Sequence, residues 1–380
     1  MALLIPRVKP LGWVDDELLT AAQTTQMDLN ISLLDGDVSY VKNITVPTQA
    51  AINWPERATS SALSPTPAVN SEVSLCAFDR GGLTGLILLS ISCSKDVLRS
   101  VDGGVTWPTS GSNLTTASTT KPELAAGFVD GVPTAMTLTD DGNSYLRTTD
   151  AVTWTAGNIL FAASRPGVNI AYSASLNRWV ALTNSTLTHY VAGTAAGMAA
   201  NWSAGTAPGA WLTNAGGCKR LVWNGSLFVA LPTSSYNKCL TSSDGITWTE
   251  RTLPFAATWT GLAYSASAGL WMAINRDAGN AAVSADGLTW SAPTGTNYTT
   301  GNDLAVNGYV WVMPTTSGNY GGIAYSVDNG ATWARGPCVG NHVVATAGWN
   351  RILATPDRRF VVAHQTGAAN TEFQLSLRAG

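Results

Sequence analysis

Apolar and polar positions along this chain fall into short runs separated by Gly, Asn, Asp, Ser and Thr, and two series of runs recur. One comprises Ile170-Ala-Tyr172-Ser, Leu221-Val-Trp223-Asn, Leu262-Ala-Tyr264-Ser and Leu304-Ala-Val306-Asn. The other follows a few residues later each time: Trp179-Val-Ala-Leu, Phe228-Val-Ala-Leu, Trp271-Met-Ala-Ile, Trp311-Val-Met-Pro and Phe360-Val-Val-Ala. Runs rich in aromatic and β-branched residues and bounded by turn formers predict strands. The period changes only near the start, where Leu19, Ala22, Gln26, Leu29 and Leu33 line one helical stripe between Asp15-Asp16-Glu17 and Gly36. Acidic residues at one end and glycine at the other are helix boundaries, so residues 1–43 are expected to hold a short helix. A helix packed on its own protein and a docking or oligomerising helix both fit that stripe.

After each pair of strands comes a recurring turn. It reads Ser100-Val-Asp102-Gly-Gly104-Val-Thr106-Trp107, Thr148-Thr-Asp150-Ala-Val-Thr153-Trp154, Ser242-Ser-Asp244-Gly245-Ile-Thr247-Trp248, Ser284-Ala-Asp286-Gly287-Leu-Thr289-Trp290 and Ser326-Val-Asp328-Asn-Gly330-Ala-Thr332-Trp333. An eroded copy ends at Asn201-Trp202, and the tryptophans at 107, 154, 202, 248, 290 and 333 step by 47, 48, 46, 42 and 43 residues. Ser and Asp side chains bind turn amides, Gly accepts positive φ, and Thr-Trp restarts a strand with a large apolar anchor. Each copy therefore predicts a hairpin with one strand leading in and one leaving, which makes four strands per repeat. Repeats of this length with four strands are the blades of a β-propeller.

Six copies account for six blades, yet residues 341–377 carry three more strand-like runs without a turn of this kind. Ala51-Ile-Asn53-Trp54-Pro-Glu-Arg57 echoes Thr247-Trp248-Thr-Glu250-Arg251, so residues near 44–60 are expected to complete the last blade and cover its edge. The expectation is an all-β propeller of about seven four-stranded blades, with six as the alternative, spanning residues 44–380 behind the helical segment 1–43.

The repeated turn resembles the Asp-box (BNR) repeat of sialidases, photosystem-assembly propellers and many phage tail proteins, over roughly residues 71 to 340. The resemblance implies that Asp102, Trp107, Asp150, Trp154, Asp244, Trp248, Asp286, Trp290, Asp328 and Trp333 are structural, because a feature present in every blade serves what every blade needs. The opening phrase Leu-Leu-Thr-Ala-Ala-Gln-x-x-x-Met-Asp-x-Asn is similar to the first segments of phage tail-fibre and other virion proteins. That similarity implies attachment to a particle through Leu19, Ala22, Leu29 and Leu33.

Composition narrows the chemistry. Charged residues are 12% of the 380 and the net charge is -3, with no Lys/Arg stripe, which disfavours a nucleic-acid partner. No run approaches a membrane span or a signal-peptide core, so a product of the host cytoplasm destined for the virion is expected. The five cysteines show no paired spacing and only three histidines exist, so neither a metal site nor a cofactor is expected. Sialidase-like hydrolysis would need a carboxylate-binding arginine cluster, for which Arg80, Arg165, Arg220 and Arg276 are the candidates. Trp211, Tyr236, Trp259, Arg276, Tyr298, Tyr320 and His342 lie in inter-strand connections and are expected on the face opposite the repeated turns. Aromatic and amide groups there would suit a host-surface glycan or protein. The sequence therefore points to a homo-oligomeric, non-enzymatic tail-fibre or receptor-binding virion protein. A sialidase-like hydrolase, a capsid decoration protein and an assembly-factor propeller are the alternatives.

Overall fold

The computed structural model describes residues 56–58, 73–80, 86–92, 96–104, 107, 109–113, 123–138, 144–158, 169–182, 188–199, 202–208, 217–276, 281–293, 301–315, 323–335, 349–356, 358–366 and 370–375. Contacts separate residues 1–50 from a compact unit over residues 51–379. The proposed helix with Leu19, Ala22, Leu29 and Leu33 lies outside the described residues.

Within the compact unit the described strands form seven antiparallel sheets, six of them four-stranded. The first sheet is Val73–Asp79, Leu86–Ser92, Asp96–Ser100 and Thr109–Asn113. The second is Leu124–Val129, Val132–Leu138, Ser144–Thr148 and Thr155–Asn158. The third comprises Asn169–Ser173, Arg178–Leu182, Thr188–Ala192 and Ser203–Ala204. Cys218–Trp223, Phe228–Pro232, Tyr236–Ser242 and Thr249–Ala257 make the fourth. The fifth, Trp259–Ser265, Leu270–Asn275 and Ala281–Ser284, has three strands where four were expected. Among the described residues its fourth position is marked by a bridge, in which Val283 and Ser291 exchange amide–carbonyl bonds of 2.9 and 3.0 Å. The sixth is Ala305–Asn307, Val310–Pro314, Ile323–Ser326 and Ala334–Arg335. The seventh is Trp349–Ala354, Phe360–Thr366 and Asn370–Leu375, and its outer strand comes from the other end of the chain, Glu56–Ala58 paired to Leu375–Phe373.

The first strand of every sheet lies beside the first strand of the next, and that of the seventh lies beside that of the first. This is the arrangement of a β-propeller, with first strands innermost. The core divides accordingly into seven apolar clusters, one for each junction between neighbouring sheets, including a cluster that joins Leu88, Leu98 and Trp107 to Val361 and Ala363. The middle of the second strands is mostly apolar because both of their faces meet a neighbour, as in Phe228-Val229-Ala230-Leu231, where every side chain is fully buried. First- and second-strand aromatics meet directly across the pairing: Tyr172 on Trp179 and Tyr264 on Trp271, each 4.9 Å between ring centres at 48°.

The recurring turn joins third and fourth strands. In the fourth sheet the Ser242 hydroxyl donates to Asp244 (2.9 Å) and accepts from the Gly245 amide (2.8 Å), while Asp244 accepts from the Ile246 and Thr247 amides (2.8 and 2.9 Å). The same set recurs at Ser284/Asp286 and, with threonine in place of serine, at Thr148/Asp150. Gly245 sits at φ 72°, and a Cβ there would come within 2.5 Å of Val180 in the preceding sheet. The turn's tryptophan follows the same direction: Trp107, Trp154, Trp202, Trp248, Trp290 and Trp333 each join the cluster shared with the sheet before their own. In the third sheet, whose sequence lacks the Ser and Asp, a helical turn Ala195–Ala199 replaces the hairpin. Asp130 of the second sheet accepts its Ala195 amide (2.8 Å), and Trp202 still reaches the junction.

Replacing Asp244 by Ala strands two turn amides and is expected to lower unfolding free energy by about 1–3 kcal/mol, whereas Ser243→Ala, at an exposed turn position, is expected to be near neutral. Trp248→Ala removes a junction anchor and is expected to cost about 3–5 kcal/mol. Guanidinium unfolding followed by tryptophan fluorescence measures all three.

Candidate functional site

Three places could carry function: the axis lined by first strands and the two ends where strands turn. At or near the start of its first strand, each of four sheets carries a charge just before an apolar residue: Glu123 before Leu124, Arg220 before Leu221, Asp303 before Leu304 and Arg351 before Ile352. Bulges at Cys218/Arg220 and Trp349/Arg351 insert one residue into the pairing and turn the arginine that follows. The four side chains come from the second, fourth, sixth and seventh sheets and meet one another. Sheets that are not neighbours can touch in this way only across the axis.

The contacts are reciprocal. Arg220 Nε donates to Asp303 Oδ1 at 3.1 Å, and its Nη1 lies 3.7 Å from Glu123 Oε1. Arg351 pairs with the same Glu123 oxygen and lies 4.0 Å from Asp303 Oδ2. Asp303 further accepts from the Leu304 amide (3.0 Å) and the Ile352 amide (3.2 Å), while Arg220 Nη1 donates to the Lys219 carbonyl (2.9 Å). All four side chains are at least 85% buried. Ser74 and Asn169 occupy the neighbouring first-strand entries, with Ser74 Oγ accepting the Leu124 amide and Asn169 Nδ2 donating to the Lys219 carbonyl, both at 2.9 Å. Two cations and two anions thus neutralise one another in a water-poor interior, where each is costly unless paired. The arginines already hold carboxylates, so this centre is a brace and offers no vacant cation to a substrate acid.

The arginines suggested for a carboxylate cluster are not brought together. Arg220 is axial, Arg80 is exposed at the far end of a first strand, Arg276 is exposed beyond a second strand, and Arg165 lies outside the described residues. Of the expected face residues, Trp211, Tyr298, Tyr320 and His342 also lie outside them. Arg276 is exposed and Tyr236 half-buried. Trp259 does not lie in an exposed connection. It starts the innermost strand of the fifth sheet, is fully buried, stacks on Phe255 with ring centres 5.2 Å apart and donates its indole N–H to the Tyr236 carbonyl at 3.1 Å. Its size and apolar surface placed it in the core, as the most favourable way to hide a large ring at a sheet junction.

The turn carboxylates are equally committed. Burial pushes Asp150 up, yet the Val152 and Thr153 amides and the Thr148 hydroxyl overrule it and hold its carboxyl down at about 2. For Asp286 the Thr289 and Leu288 amides are the main cause of a lowered value. Asp244 and Asp328 are lowered too, against the effect of burial, by the amides of Thr247 and Ile246 and by the Thr332 hydroxyl and amide respectively. Among the described thiols, burial pushes Cys76 and Cys239 up to about 12 and raises Cys218, which suits inert core residues rather than nucleophiles. No cluster of His, Cys, Asp or Glu able to hold a metal occurs among the described residues, and no helix among them is long and apolar enough to cross a membrane.

No protein-family model matches this chain, and neither does any curated protein. Solved structures do resemble it. YCF48 from Cyanidioschyzon merolae is similar over 85% of this chain and 98% of its own length, at 17% identity and a TM-score of 0.59. Virginiamycin B lyase from Staphylococcus aureus covers 82% of this chain and 97% of its own, at 10% identity and a TM-score of 0.58. The Niastella koreensis GH74 enzyme covers 81% of this chain and 43% of its own, at 15% identity and a TM-score of 0.53. At these identities the likeness shows a shared propeller fold alone.

Two outcomes are expected. Arg351→Met leaves Glu123 and Asp303 short of a partner and should cost about 3–5 kcal/mol, most of which an all-apolar replacement of the four charged residues should restore. Denaturant midpoints of the single and quadruple variants test this. For pH, a folded carboxyl below its unfolded value near 3.9 stabilises the fold above about pH 4 and loses that contribution as pH falls through the folded value. Unfolding midpoints should therefore be flat above about pH 5 and fall toward pH 2, less steeply in Asp150→Asn.

Proposed function

We propose that this chain is a non-enzymatic virion protein of a bacteriophage: a seven-bladed Asp-box propeller attached to the particle through residues 1–43, with the face away from the repeated turns presented to a host-surface glycan or protein. The observation that carries the non-enzymatic part is the mutual saturation of Glu123, Arg220, Asp303 and Arg351, which occupies the axial charges with one another. The Ser–Asp pairs that invite a catalytic reading are likewise consumed by their own turns. The virion part rests on the opening phrase, the low charge and the Thr/Asn/Gly-rich composition. Host-surface binding is favoured by the exposed Arg276 and half-buried Tyr236 at that end.

A second reading, an assembly-factor propeller that holds a peptide, is favoured by the likeness to "YCF48 bound to D1 peptide", which covers 83% of this chain at 17% identity and a TM-score of 0.56.

Gold-labelled antibody against the chain is expected to decorate phage particles in electron micrographs. Its absence from purified particles would overturn the virion reading, and turnover of a fluorogenic sialoside by the purified protein would overturn the non-enzymatic one.

A further inference from the structure

Asn followed by Gly occurs three times in the chain, at Asn224-Gly225, Asn307-Gly308 and Asn329-Gly330, and all three pairs sit in described turns. Such a pair can react with itself, because glycine has no side chain to keep its amide nitrogen away from the side-chain carbonyl before it. All three glycines have positive φ, 106°, 59° and 85°, so the sign of φ does not separate them. Their hydrogen bonds do.

Asn224 lies in the turn between Cys218–Trp223 and Phe228–Pro232 of the fourth sheet. Its Oδ1 accepts from the Ser226 amide (2.9 Å), the Leu227 amide (2.8 Å) and the Ser226 hydroxyl (3.2 Å). The side chain is thereby folded forward along the chain, past the Gly225 peptide, with three donors on the oxygen that gains negative charge when its carbon is attacked. Among the described residues, neither the Nδ2 that would leave nor the Gly225 amide that would attack has a hydrogen-bond partner. A Cβ on Gly225 would meet nothing within 4 Å, and Gly225 and Ser226 are exposed, so water reaches the turn.

The other two pairs are held. At Asn329 the attacking group is taken: the buried Gly330 amide donates to Ser326 Oγ at 2.8 Å, and Asn329 Oδ1 accepts from the Trp311 indole at 3.3 Å. At Asn307 the leaving group is taken: Nδ2 donates to the Arg359 carbonyl of the seventh sheet at 2.9 Å. Ser265 Oγ pins the Gly308 carbonyl at 2.5 Å.

We propose that Asn224 is a site of spontaneous self-modification, converting to aspartate and isoaspartate while Asn307 and Asn329 remain amides in the folded protein. The Gly225 nitrogen bonds to Asn224 Cγ, the Cγ–Nδ2 bond breaks, and the displaced amide proton leaves with Nδ2 as ammonia, which closes a cyclic imide. Water then opens the ring. Addition at Cγ restores the main chain with an aspartate side chain, and addition at the main-chain carbonyl routes the chain through Cβ and Cγ as isoaspartate. Either product adds one negative charge to the turn. The aspartate can stay in place, because a carboxylate oxygen accepts amides at the same two spacings in Asp244, from Ile246 and Thr247. The modification consumes only water and holds whatever the propeller binds.

Full-length protein is incubated at neutral pH, folded and in concentrated guanidinium, and peptides spanning the three sites are followed by mass spectrometry for exchange of amide for acid. In the folded protein Asn224 is expected to convert at least about tenfold faster than Asn307 or Asn329. In guanidinium the three rates are expected to converge, because the bonds that separate them are gone. Equal rates in the folded protein, or Asn224 among the unconverted sites, overturns the assignment. A gap that persists in guanidinium overturns it as well, since the choice would then lie in the local sequence and not in the fold. Asn224→Asp is expected to keep the wild-type thermal midpoint, and a fall overturns the accommodation of the product.

Discussion

The structure depends on one packing requirement: each sheet is apolar on both faces, so each needs a neighbour on both sides. Phe228, Val229, Ala230 and Leu231 alternate between the junctions to the third and fifth sheets, and none of them reaches water. Six junctions form between sheets that follow one another along the chain. The seventh can form only if the last sheet meets the first, where Leu88, Leu98 and Trp107 pack on Val361 and Ala363. Completing the seventh sheet with Glu56–Ala58 covers its outer edge with a strand from the opposite end of the chain, so unravelling at either terminus is resisted by the other.

The recurring turn contributes to that requirement twice. Its carboxylate and hydroxyl satisfy turn amides, which keeps the hairpin tight enough for Gly245 to lie against Val180. Its tryptophan then reaches back to the preceding sheet. Where the turn is replaced by Ala195–Ala199, the tryptophan persists as Trp202 and the junction is preserved by other means, with Asp130 capping the helical turn across the same boundary. The junction, and not the hairpin, is therefore what each repeat keeps.

A chain with few charges places four of them at the axis. First strands converge there, backbone carbonyls and amides crowd, and side chains from non-neighbouring sheets meet. The pairs Arg220–Asp303 and Arg351–Glu123 connect sheets that share no apolar junction, and Asp303 also binds the backbone at Ile352 in the neighbouring seventh sheet. Such a centre adds less net stability than apolar filling would, but it penalises any slip that separates a charge from its partner, which suits a ring whose members are otherwise interchangeable.

The hairpins, the two strands before them, the repeat length and the outer strand taken from near residue 57 were all legible in the sequence, because each is set by local spacing: turn formers every repeat and apolar runs between them. The axial four were not, since each is a single charged residue in an unremarkable tripeptide such as Lys219-Arg220-Leu221. Aligning the repeats on their first strands places them in one column, but only the folded chain shows that the column closes on itself with balanced charge. Trp259 was assigned to an open face from its position between repeats, and burial against Phe255 decided otherwise. What the sequence alone determined is everything governed by neighbours along the chain; which side chains meet across the axis depends on the sense and order in which seven similar sheets are assembled, and that is a property of the tertiary structure.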